Sequence, residues 1–145
     1  MHEYNVAHLD LKPQIVIIPA EGGRLPIIDF SVSIRVPGPD TTHSEIVGTE
    51  DYIAPEILKG HYKPMLADLW SCGRTLKELC TCCHSSADRT KVLEIARRLM
   101  DRDPKARPKM STVFEWMAPA MQGADDAVPP ELPRVKVSYS SPLRL

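Results

Sequence analysis

Hydrophobic positions along this chain change their spacing twice. Ile15-Val16-Ile17-Ile18 is a β-branched block, and Arg24-Leu25-Pro26-Ile27-Ile28 is a second apolar run. Pro19-Ala20-Glu21-Gly22-Gly23 supplies turn residues between them, so the pair predicts a β-hairpin. From Asp29 to about Thr49 no period is sustained. Pro37-Gly38-Pro39-Asp40 marks a turn there, and the whole stretch predicts a long loop. Ala54-Pro55-Glu56-Ile57-Leu58 opens a short helical piece. Beyond it, Leu69, Cys72, Leu76, Leu79 and Cys80 recur at intervals of three and four, with Trp70 alongside. This predicts a helix over 66–80 that is apolar around much of its girth and therefore central. Val92, Ile95, Ala96, Leu99 and Met100 make the stripe of an amphipathic helix over 87–101, with Arg97 and Arg98 on its other face and Asp103-Pro104 ending it. A third helix carries Val113, Phe114, Trp116 and Met117, with Ser111 as its cap. Residues 1–7 are too short to form an element of their own. The expected fold is mainly α with a small β-hairpin, in one domain over residues 1–117. Residues 118–145 hold five of the fourteen prolines and no core-forming period, which predicts a Pro-rich flexible tail.

Composition adds limits. A chain of 145 residues, 43% hydrophobic, is long enough to bury one core. A net charge of −1 gives no bulk attraction to nucleic acid or to an anionic membrane, and no apolar run has the length of a bilayer span. The first residues, Met1-His2-Glu3-Tyr4-Asn5, lack the charged start and apolar stretch of a secretion signal, so a cytoplasmic protein is expected, with the nucleus open. The cysteines are Cys72, Cys80, Cys82 and Cys83. Cys80-Thr81-Cys82-Cys83-His84 contains zinc-type ligands, but structural zinc takes two pairs well separated in sequence and no second pair exists. Reduced thiols at a helix end are expected instead of zinc.

The chemistry gathers in two places. His8-Leu9-Asp10-Leu11-Lys12-Pro13-Gln14-Ile15 puts a carboxylate and an ammonium in a loop, since Pro13 disfavours helix at Lys12. Asp29-Phe30-Ser31 follows the predicted hairpin. Read singly, Asp10 and Asp29 fit turn or capping aspartates, and Lys12 fits a solvated charge.

Taken together with three later stretches, they form an ordered set. Gly48-Thr49-Glu50-Asp51-Tyr52-Ile53-Ala54-Pro55-Glu56, Asp68-Leu69-Trp70-Ser71-Cys72-Gly73 and Arg102-Asp103-Pro104-Lys105-Ala106-Arg107-Pro108 follow in that order. The series resembles the C-terminal lobe of a eukaryotic protein kinase, whose signature runs H-R-D-L-x-x-x-N, D-F-G, A-P-E. Lys12, two places after Asp10, resembles the serine/threonine-specific class. The resemblance implies that Asp10 orients a substrate hydroxyl and accepts its proton, and that Lys12 neutralises charge on the transferred phosphoryl group. It implies ATP and magnesium as cofactors, with Asp29 holding the metal and Ile17 and Ile28 flooring the nucleotide pocket. Phe30, Thr49 and Glu56 fall in the activation segment, Thr49 where the substrate residue is accommodated. Asp68 is implied to hold the catalytic-loop backbone, Glu56 and Arg107 to pair, and His8 and Phe30 to pack beneath the site.

Three positions depart from the family pattern. Leu9 stands where the family has the arginine that receives an activation-loop phosphate. Ile15 stands where an asparagine holds the second magnesium, and it has no lone pair to offer. Ser31 stands in place of a glycine. A glycine-rich phosphate loop and its strand lysine have no match in this sequence, so the resemblance implies a C-terminal lobe without an N-lobe. Three readings stay open: a truncated, inactive kinase lobe; a pseudokinase-type module that binds a protein partner or itself through the face left open by the missing N-lobe; and a kinase assembled with an N-lobe from another chain.

Overall fold

A computed structural model of the chain describes residues 1–38, 40–82 and 87–121. Helix dominates. α1 spans Pro64–Cys82, α2 spans Ala87–Leu99 and α3 spans Met110–Met121. Two short strands, β1 (Val6–Ala7) and β2 (Ile34–Arg35), pair antiparallel with Val6 opposite Arg35 and Ala7 opposite Ile34. Short 3-10 turns at His2–Tyr4, Pro13–Ile15, Glu50–Tyr52, Ile57–Lys59 and Pro104–Ala106 join these elements.

α1 is the central helix, and its wide apolar surface explains how. Ala67 faces a first core of Ala7, Leu9, Val36, Ala54, Ile57 and Tyr62, with Met65 and Trp70 packed against it. Leu69 faces a second core with Ile95, Leu99 and Val113, joined by Leu66, Cys72 and Leu76. One helix therefore separates a loop-built half from a helical half. α1 and α2 approach closely at Gly73, where a Cβ atom would lie 2.8 Å from the Ala96 carbonyl oxygen and 2.9 Å from Leu99 Cβ. Any larger residue there would push the two helices apart. Burial, helped by nearby Asp68, pushes the Cys72 thiol up to about 11, so it behaves as a small apolar side chain.

The small sheet is not where the apolar runs predicted it. Residues 15–28 do fold back, but only Val16 and Ile27 form a bridge, with Ile17 N–H donating to Pro26 C=O at 2.9 Å and Ile28 N–H to Ile15 C=O at 3.0 Å. Pro19 and Pro26 lack N–H groups, and Ile15 belongs to a 3-10 turn, so a ladder cannot extend. The paired strands are instead Val6–Ala7, in a stretch too short to be expected as an element, and Ile34–Arg35, inside the expected loop. α3 begins at Met110, which places Ser111 inside its first turn and not at its cap, and it runs to Met121, past the boundary at 117. The rest of the expected tail, residues 122–145, lies outside the described residues, as do Cys83 and His84. Among the described residues no cluster of three or more His, Cys, Asp or Glu side chains could hold a metal ion, and no helix is long and apolar enough to cross a membrane.

Candidate active site

Asp68 anchors the loop that follows β1. Its side chain is buried in α1 and turns both carboxylate oxygens toward that loop. Oδ2 accepts from the His8 amide and Oδ1 from the Leu9 amide, each at 2.7 Å. His2 Nε2 lies 2.9 Å from Oδ2. A buried carboxylate needs donors of this kind, and these fix the two residues ahead of Asp10. Leu9 sits in the left-handed region at φ 66°, which costs a side-chain-bearing residue roughly 1 kcal/mol. Burial of the Leu9 side chain, 3% exposed in the first core, and the Asp68 bond hold it there. Its carbonyl oxygen in turn faces Gly48, where a Cβ would come within 2.6 Å at φ 105°. Only glycine lets the two loops approach so closely.

His8 is fully buried, and its ring spans two loops. Asp10 N–H donates to Nδ1 at 3.3 Å, which leaves Nε2 as the donor to the Ile28 carbonyl at 3.2 Å. The Phe30 ring lies 4.8 Å from the imidazole, tilted by 54°, an ordinary aromatic contact.

Beyond this base, Asp10, Lys12 and Thr49 close a triangle. Lys12 Nζ is 2.6 Å from Asp10 Oδ2 and 2.7 Å from Thr49 Oγ1, and Thr49 Oγ1 donates to Asp10 Oδ1 at 2.7 Å. Lys12 is extended ahead of Pro13, as the proline requires, and Thr49 immediately precedes the 3-10 turn at Glu50–Tyr52. Partial burial pushes the Asp10 carboxyl toward a higher pKa, but hydrogen bonds from Lys12 and Thr49 outweigh it and hold the carboxyl below its ordinary range. Asp10 is therefore a carboxylate with both oxygens engaged, accessible to solvent at its edge.

Asp29 lives differently. It too has a left-handed backbone, φ 61°, but its side chain is exposed and its carboxylate folds back onto the Ser31 amide at 3.3 Å. Ser31 lowers the Asp29 pKa, through its side chain first and its amide second, with lesser help from the charge of Lys12. Ile17 and Ile28 flank the single bridge and stand 46% and 45% exposed, with Phe30 at 50%. Ile15 is 3% exposed, its side chain is hydrocarbon, and its polar contacts are those of its backbone, the amide donating to the Lys12 carbonyl and the carbonyl accepting from Ile28.

Below the site, Arg107 makes a two-pronged pair with Glu56 at 2.5 and 2.8 Å. It also donates to the Asp101 and Leu66 carbonyls at 2.9 and 2.7 Å and lies 5.2 Å over the Trp70 ring. Both partners are buried, and every arm of the guanidinium is used. Tyr52 OH donates to Glu78, and its backbone carbonyl accepts from Ser71 Oγ at 2.8 Å. The glutamate beside the phenol, together with burial, raises the Tyr52 pKa.

The structure thus brings Asp10, Lys12 and Thr49 together, sets His8, Asp68 and Phe30 beneath them, and leaves Asp29, Ile17 and Ile28 on an open face. Sequence reasoning missed His2 as a third group on Asp68, the direct bonds of Thr49 to Asp10 and Lys12, the Tyr52–Glu78 pair, and Ser33 Oγ, which donates to the His8 carbonyl at 3.2 Å. Each joins residues far apart in the chain, and no local pattern signals it.

A buried carboxylate holding a loop, with an aspartate–lysine–hydroxyl triangle at the loop's tip, defines a site able to orient a hydroxyl and to face an anion. Comparison with known proteins identifies the class. The family model of the protein kinase domain matches residues 1–116, and the chain belongs to that family. Serine/threonine-protein kinase 17A of Oryctolagus cuniculus is 41% identical over 75 residues, which cover 50% of this chain and 19% of that protein. Serine/threonine-protein kinase nekl-2 of Caenorhabditis elegans is 35% identical over 79 residues, 54% of this chain and 22% of its own length. Protein kinase 2 of Dictyostelium discoideum is 36% identical over 81 residues, 56% of this chain and 16% of its own. The matched segment spans about a fifth of the length of these curated relatives.

Proposed function

We propose that this chain is a serine/threonine-kinase-like C-terminal lobe in which the hydroxyl-handling half of the site is kept and the metal-handling half is reduced, so that it transfers phosphate weakly or not at all. The observation that carries this reading is Ile15, buried at the position where the family places a metal-binding asparagine. Magnesium takes oxygen donors in strict geometry. Asp29 offers one such carboxylate, and Ile15 offers none, so the residues present fit one ion and not a pair. ATP, when bound, supplies the phosphoryl group and its charge. This chain's own part is smaller: Asp10 takes the proton of an incoming hydroxyl once that hydroxyl replaces Thr49 at Oδ1, and the Lys12 ammonium faces the negative charge.

Purified chain incubated with magnesium-ATP and serine- and threonine-containing peptides is expected to yield no transfer above that of Asp10→Asn. Transfer well above that of Asp10→Asn would sink the proposal.

A second reading is favoured by the open face. Ile17, Ile18, Leu25, Ile28 and Phe30 stand 45% to 62% exposed within one folded-back stretch. Exposed apolar side chains gathered in one short stretch suit a protein interface. In this reading the lobe is a non-catalytic module that binds a protein partner or a second copy of itself. Light scattering across concentration tests the second form: mass should rise with concentration and fall back on Ile18→Ser with Leu25→Ser.

A further inference from the structure

The loop between β2 and α1 is tied at His43. Its amide donates to the Tyr62 carbonyl at 2.8 Å and its carbonyl accepts from the Tyr62 amide at 3.0 Å, an isolated antiparallel bridge. The two rings meet edge-on at 5.7 Å. Tyr62 OH reaches past the imidazole to donate to the Glu45 carbonyl at 2.8 Å. The backbone is therefore pinned on both sides of residue 44.

Between those pins one polar atom is left over. His43 Nε2 is buried and has no hydrogen-bond partner among the described residues, and Glu45 Oε2 lies 3.7 Å from it. Glu45 is 75% exposed in its side chain, so a small rotation of that side chain alone would close the gap. A buried ring nitrogen without a partner is unfavourable when neutral, and becomes a charged donor beside a carboxylate when protonated. Imidazole is the side chain whose charge ordinarily changes between pH 5 and 8.

We propose that His43 and Glu45 form a proton-operated latch on the segment from Asp40 to Tyr62: protonation of His43 closes its bond to Glu45 and tightens the loop that ends at Thr49. The other charged groups around the pair do not compete for the proton's partner. Asp40 and Lys63 hold each other at 2.6 Å. His61, beside Tyr62, is exposed, and Asp68 is engaged by His8, Leu9 and His2. Burial, with Glu45 and Asp68 adding to it, pushes the Tyr62 phenol up to about 12, so it remains a donor throughout the range in which the latch works.

Amide hydrogen exchange on the full chain, corrected for the intrinsic effect of pH, tests this at residues 43 and 62, whose amides donate across the bridge. Protection at pH 5.5 is expected to exceed that at pH 8 by about two- to fivefold, the range of a single exposed ion pair. His43→Gln and Glu45→Gln should each remove the difference while exchange at Leu99 in the second core stays unchanged. Equal protection at both pH values in the unaltered chain overturns the proposal. So does a pH response that survives Glu45→Gln, and the unaltered chain decides the matter alone if a variant does not fold.

Discussion

Glu56 and Asp29 are both carboxylates in loops of the same domain, and they live in opposite surroundings. Glu56 is buried and takes two bonds from Arg107, which itself spans two carbonyls and the Trp70 face. Asp29 is exposed and is held by Ser31, two residues on. The first ties the turn before Ile57–Lys59 to the helical half. The second stands on the open face of the candidate site. The contrast teaches that resemblance in sequence divides by environment: residues enclosed by α1 are held by several partners each, and residues on the open face are held by few. A frame of this kind tolerates changes on its open face.

The largest effect should come from the buried pair. Arg107→Ala would remove the cation that pairs with buried Glu56, and breaking such a pair destabilises by about 3–5 kcal/mol. Asp29→Asn, which keeps a residue type that tolerates a left-handed backbone, should change stability by less than about 0.5 kcal/mol, as exposed substitutions do. Urea unfolding of the two variants measures the contrast, and similar midpoints would erase it.

Asp68→Ala comes next. It removes the acceptor from two buried amides, and leaving such groups unsatisfied costs about 1–3 kcal/mol each. Leu9 also loses the bond that helps to hold its left-handed backbone, so the loop carrying Asp10 should loosen before the helices do. Exchange at residues 8–10 should rise in conditions where α2 remains protected.

How far the sequence discloses these regions follows the same division. The three helices were legible because burial on one or more faces writes a period of three to four into the chain. Leu69, Cys72 and Leu76 announce α1, and Ile95 and Leu99 announce α2. The sheet was not legible. Val6–Ala7 and Ile34–Arg35 are two residues each, too short to write any period, and their pairing is set by the backbone on either side: Val36 N–H donates to Asn5 C=O at 2.7 Å. The β-branched run at residues 15–18 gave the stronger strand signal, yet the prolines opposite it stop the ladder. For the site, motif order singled out Asp10, Lys12, Asp29 and Asp68 as candidates. It could not reveal that Thr49 bonds Asp10 and Lys12 directly, or that His2 touches Asp68, because these contacts exist only once β1, α1 and the activation segment are packed together.

A smaller effect, with a pH signature, is expected at the triangle. The Asp10 carboxyl is held below its ordinary value of 3.8. Its charged form is thus favoured by folding, and that contribution is complete above 3.8 and fades as pH falls through the lowered value. Asp10→Asn should lower stability at pH 7 by about 0.5–1.5 kcal/mol, the range of one hydrogen bond. Below pH 3.8 the gap between the variant and the unaltered chain should narrow. A gap that stays constant down to pH 2 would mean that Asp10 acts through packing and not through charge.

The smallest effect on stability belongs to the open face, and it is the one that separates the two proposed roles. Ile18 is 62% exposed and outside both cores. Ile18→Ser removes apolar surface that the fold barely covers, so unfolding should shift by less than about 0.5 kcal/mol. An interface would respond more strongly, since an apolar anchor buried against a partner contributes about 1.5–3 kcal/mol. If the face pairs two copies of the lobe, Ile18→Ser should weaken dimerisation about tenfold while the urea midpoint holds. If the face is idle, both measurements stay flat, and the exposed isoleucines are no more than the outer surface of a stretch whose ladder ends after one bridge.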